Sequence, residues 1–178
     1  RSHYLIGRFL GTAGLLALAL VLFGLLLQGL AWAADFGHPG SSRIQSGLSL
    51  VPVLGYLWLD LLAITSFAWL MASLSTTPFL PFVLGLAFAW AARSLAPVLG
   101  YLEAGTSTLK DLRGGFDPIL NLLLWLIPDL SRLDLRGGVL YGQWPNMETL
   151  LLGAANALGY VAVMLGLAVW VFNQREFS

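Results

Sequence analysis

Residues 48–75 read LSLVPVLGYLWLDLLAITSFAWLMASLS, an apolar stretch interrupted by one charge, Asp60, near its middle. A helix needs about 20 apolar residues to cross a bilayer, so this stretch predicts a membrane span. A carboxylate at the bilayer centre costs about 2.5 to 3.5 kcal/mol on insertion scales, and it normally faces other helices or a watery path in preference to lipid. Asp60 therefore points toward an interior.

The same pattern predicts an all-α integral membrane protein with four transmembrane helices, over residues 9–32, 48–74, 78–95 and 147–172, in a single domain. Arg8 and Trp32 flank the first span, as interfacial anchors do. The linker ADFGHPGSSRIQSG after it is rich in Gly and Ser and belongs in water. The third span follows after only STTP, so it returns beside the second as a helical hairpin, with Pro78 and Pro81 in its first turn, where proline costs little. It is expected to end between Arg93 and Pro97. In the last span Asn146 is the expected N-cap, with Glu148 favourably placed in the first turn. Gly153 with Ala157, and Ala155 with Gly159, form two interleaved small-xxx-small pairs suited to close helix packing.

Residues 94–145 do not fit a plain count of spans. PILNLLLWLI, ending at Ile127, is strongly apolar but about half the length of a crossing, which predicts a short re-entrant or interfacial helix over about 117–127, before the last span. Pro128 ends it. The pentapeptide DLRGG occurs on both sides, beginning at Asp111 and Asp134, and reads as two similar chain reversals.

Composition strengthens the membrane reading. With 58% hydrophobic and 10% charged residues, the chain holds more apolar surface than a soluble core of this size hides. A net charge of zero without a basic stripe gives no reason to expect nucleic acid as a partner. With no cysteine there are no disulfides, thiol nucleophiles or cysteine metal sites. The chain opens at Arg1 without Met, and RSHYLIGRFLG reads as the lead-in to a helix, so residues are expected upstream.

Several short motifs then fall in a telling order: Arg1, Tyr4, Leu5, Gly7 and Arg8 before the first span; Pro128 and Leu130 after the short helix; Tyr141 and Gly142; and Arg175, Glu176 and Phe177 at the end. In this order the chain resembles the permease subunits of type-2 ABC transporters, especially the bacterial group associated with multicopper-enzyme maturation. It departs from that pattern with Asp129 where Asn is usual and Gln174 where the first of two Args is usual. The resemblance implies six spans in the inner (cytoplasmic) membrane with both termini in the cytoplasm, the two N-terminal spans and the coupling helix lying outside this sequence. It implies a separate ABC ATPase subunit that binds ATP and Mg, a second permease subunit of the same or another kind, and no cofactor in this chain. It also places the linker 34–47 and the region 94–145 outside. Basic residues run against that orientation, since Arg43, Arg93, Lys110, Arg113, Arg132 and Arg136 would lie outside and Arg1, Arg8 and Arg175 inside.

No catalytic set emerges. The sequence has no P-loop, no His-Glu-x-x-His and no nucleophile elbow, and His3 and His38 have no ligand spacing, so the chain is not expected to be an enzyme. Asp60, Tyr56, Asn156 and Tyr160 are the candidate polar residues of a translocation path; in the plainer reading, Asp60 is a structural hydrogen-bond partner of one of the other three or of a group outside this sequence. Trp125, Pro128, Asp129 and Tyr141 are the candidates for an outer gate, or for ordinary packing at the membrane surface. Arg8 and Arg175 are candidates for the cytoplasmic interface, or plain interfacial anchors. The functional expectation is an exporter permease; the alternative is a non-transporting subunit that anchors or assembles a larger membrane complex.

Overall fold

The computed structural model describes residues 2–35, 50–104, 133, 135 and 144–174. The expected short helix over 117–127, the gate candidates Trp125, Pro128, Asp129 and Tyr141, and Arg175 lie outside the described residues. Among the described residues there are four α-helices: α1 (Ser2–Asp35), α2 (Leu50–Leu74), α3 (Phe79–Ala104) and α4 (Met147–Gln174). Three are long and apolar enough to cross a membrane, α1 over His3–Ala33, α2, and α4. In α3 the apolar stretch is Phe79–Ser94, shorter than a span.

Two expected boundaries shift. α1 begins at Ser2, upstream of the apolar run, because a helix continues past the hydrocarbon layer wherever its residues tolerate helical geometry. α3 does not stop between Arg93 and Pro97 but runs through Pro97 to Ala104. Proline has no N–H and so removes the helical bond to the carbonyl of Arg93, four residues back; a helix in a membrane bundle survives the loss of one such bond.

Helix ends follow the local chemistry. The Asn146 carbonyl accepts the first bond of α4 from the Leu150 N–H at 3.1 Å, as an N-cap carbonyl does. At the end of α2 the Ser75 N–H bonds the Met71 carbonyl at 2.9 Å, and the Ser75 hydroxyl accepts the Thr77 N–H at 3.1 Å, which tightens the turn into α3.

α2 is the hub, packing against each of the other three helices. Its buried residues Ala63, Ser66, Leu70 and Ser73 repeat at three- and four-residue intervals, and so do Ala157, Val161, Met164 and Ala168 of α4. Two seams with that period meet along their length, the arrangement of a coiled-coil contact. Leu62 and Ala63 cluster with Ala157 and Val161, while Leu70 clusters with Met164 and Ala168, so the two helices run parallel. Small residues allow the approach: Ala63, Ser66 and Ala168 are fully buried. The serine hydroxyls are satisfied within their own helix, Ser66 on the Ala63 carbonyl at 2.8 Å and Ser73 on the Leu70 carbonyl at 2.6 Å.

α1 and α3 run antiparallel to α2. Phe9 and Ala13 share a cluster with Leu62 and Ala63, and the Trp58 indole N–H donates to the Ala13 carbonyl at 3.0 Å. Gly24 lies against Leu54, where a Cβ would come within 2.5 Å of a Leu54 methyl carbon. Of the two small-xxx-small pairs, Gly153 and Ala157 belong to the packed side of α4, whereas Ala155 and Gly159 are exposed, and a Cβ on Gly159 would meet nothing within 4 Å. Pairs offset by two residues in a helix point some 200° apart, so one partner helix engages only one of them.

Candidate functional site

The α2–α3 hairpin sets the geometry of the charged site. Asp60 lies fourteen residues before the end of α2 at Leu74, and Arg93 lies fourteen residues after the start of α3 at Phe79. At 1.5 Å per residue each is about 21 Å from the hairpin turn, so the two arrive at the same level. Between that level and the turn, small side chains hold the helices close. Ala68 faces Gly85, where a Cβ would come within 3.3 Å of the Ala68 Cβ.

Arg93 donates from Nη2 to Asp60 Oδ2, forming an ion pair. The pair is asymmetric: Asp60 is only 5% exposed, whereas the Arg93 side chain remains 47% exposed. Asp60 Oδ1 is buried and has no hydrogen-bond partner among the described residues. The expectation that Asp60 faces an interior holds, and its partner is a residue that had been placed at the outer end of a span.

The other polar candidates do not gather on Asp60. Asn156 is exposed on α4. Tyr56 is partly buried against the main core cluster. Tyr160 closes an aromatic column in which Phe67 of α2 stacks on Phe88 of α3 at 4.3 Å between ring centroids, and Phe88 on Tyr160 of α4 at 5.8 Å. The column ties three helices together, and the Tyr160 hydroxyl is buried with no partner among the described residues. Arg8 is exposed near the start of α1, its guanidinium 5.6 Å from the Tyr4 ring centre, a cation–π contact suited to an interfacial position.

Two grooves flank the hub helix. One, of about 460 Å³, lies between α1 and α2 and is lined by Leu20, Gly24, Leu54 and Trp58 with Gln28. The Gln28 Oε1 is buried and unpartnered among the described residues; its only sequence signal was a lone amide within LFGLLLQGLAW. The other, of about 600 Å³, runs along the α2–α3 hairpin and takes in Arg93. Among the described residues no group of three or more His, Asp or Glu is placed to hold a metal ion.

Comparison with protein-family models, curated proteins and solved structures finds no match to this chain. The arrangement itself defines what the site can do chemically. It holds an ion pair midway along the α2–α3 hairpin, with Asp60 buried and Arg93 half exposed beside a lateral groove.

Proposed function

We propose that this chain is a multi-pass permease subunit of an ATP-driven type-2 ABC exporter in the bacterial inner membrane. The observation that carries this reading is the Asp60–Arg93 pair, set mid-helix with Arg93 half open to a groove. Sealing both partners of an ion pair adds little net stability, and this pair leaves its cation open. One left open on one side serves a surface that something polar visits.

In this proposal α3 is the fourth crossing. Hydropathy scores Arg93 as a free charge, yet its pairing with Asp60 removes most of the cost of inserting it. The helix extends about 39 Å over its 26 residues, enough for a 30 Å hydrocarbon layer. α1 and α3 then run one way and α2 and α4 the other. The sequence carries no P-loop, so ATP and Mg belong to a separate ATPase subunit. A second permease, identical or different, completes the path, and closure of the ATPases rocks the helices against one another.

A second reading, a structural subunit that anchors a larger complex without moving cargo, is favoured by the Phe67, Phe88 and Tyr160 column, which binds three helices into one block. Purifying the native complex in mild detergent separates the two. A stoichiometric P-loop ATPase with vanadate-sensitive turnover is the result expected for the permease; its reproducible absence from an intact complex leaves the structural subunit.

A further inference from the structure

The Arg93 guanidinium has five N–H donors in a planar fork, and Asp60 engages one of its three nitrogens. Arg93 lines the groove between α2 and α3, together with mostly apolar residues such as Leu61, Ala68, Phe82, Gly85 and Ala89. Thr65 also lines it, but its hydroxyl is spent on the Leu61 carbonyl at 2.7 Å. Arg93 is the one charged residue among those lining the groove. Arg93 stands at one end of the groove and Pro81 at the other, twelve residues or about 18 Å apart along α3.

Donors at membrane depth with no acceptor are costly, so whatever fills the groove brings oxygens to Arg93 and hydrocarbon to the rest. We propose that the groove binds a single-chain carboxylate amphiphile of the fatty-acid type, its head on the free edge of Arg93 and its chain running toward Pro81. A carboxylate matches the two-pronged guanidinium edge. One chain matches a channel bordered by small residues at Ala68, Ala72, Gly85 and Ala89, and the volume of about 600 Å³ is that of a small-molecule site. Asp60 and the ligand head then share one guanidinium, so Asp60 competes with the ligand and tunes its affinity. Regarding this ligand as the cargo rests on the permease reading; the binding does not.

The test uses the protein in native membranes, photolabelled with diazirine-bearing palmitate or with its methyl ester, which keeps the chain and removes the charge. Labels are mapped by mass spectrometry to residues 81–93. The acid is expected to label about tenfold or more above the ester, the scale of a charge-assisted hydrogen bond. Asp60→Asn is expected to raise acid labelling and leave the ester unchanged, an effect a merely structural pair would not produce. The double variant Asp60→Asn with Arg93→Gln, which strands no buried charge, is expected to bring the acid down to the level of the ester. Equal labelling by acid and ester, as for a passing lipid tail, or acid labelling that survives loss of Arg93, overturns the proposal. ATPase copurification from the same membranes keeps the two failures apart. Turnover with head-independent labelling sinks only the groove, and absent ATPase with head-dependent labelling sinks only the permease.

Discussion

Replacing Arg93 by Gln strands the Asp60 carboxylate, which is 5% exposed and has one oxygen without a partner among the described residues. Removing one partner of a buried pair typically costs about 3 to 5 kcal/mol, and this change is expected near the upper end. Asp60→Asn is milder, about 1 to 2 kcal/mol, because Arg93 is half exposed and its long stem can carry the charge to other acceptors. Replacing both leaves two neutral amides at the same level of the hairpin and is expected to cost about 2 kcal/mol or less. The cycle therefore yields a coupling of about 3 kcal/mol or more. Denaturant titration of the detergent-solubilised protein measures it, with the seven tryptophans as the reporter. A coupling below about 0.5 kcal/mol, or Arg93→Gln no more harmful than Asp60→Asn, would refute the pairing argument.

Further substitutions probe the packing that places the pair. Phe88→Ala empties the middle of the aromatic column and is expected to cost about 3 to 5 kcal/mol in the same titration. Gly85→Leu drives a side chain into Ala68, and a loss of about 1 to 3 kcal/mol is expected, together with weakened coupling in the Asp60 and Arg93 cycle. Gly24→Ile collides with Leu54 at a similar cost, which Leu54→Ala is expected to restore because the clash is with the end of one side chain.

The helices were legible because apolar runs of spanning length leave little else to be, and Asp60 because one charge in 28 residues stands out. The pairing of Arg93 with Asp60 escapes a sequence reading for a physical reason: hydropathy charges each residue separately and cannot see a cost that pairing cancels. A cue was present, since a four-residue hairpin turn fixes the register and puts positions equally distant from it side by side. Asn156 and Tyr160 were read as partners of Asp60 for their polarity alone. Which way they face depends on which stripe of α4 meets α2, and the two small-residue pairs in the sequence, pointing to nearly opposite sides, left that choice open.

Whether α3 crosses the membrane decides how the pair should be viewed. These 178 residues contain no cysteine, so a thiol introduced among them is the single one they offer to label. Thr77 sits in the hairpin turn and is exposed, and Asn146 is exposed just before α4. Because α2 and α4 run parallel, four crossings put Thr77→Cys and Asn146→Cys on opposite faces of the membrane. A membrane-impermeant maleimide added to sealed vesicles of each orientation is therefore expected to label one from outside and the other from inside. Labelling of both from the same face would overturn the parallel run of α2 and α4 and, with it, a single crossing by α3. The Arg93 side chain would then be exposed to the interface, where ion pairs are worth about 0 to 1 kcal/mol, and neither the large coupling nor a ligand site at membrane depth would survive.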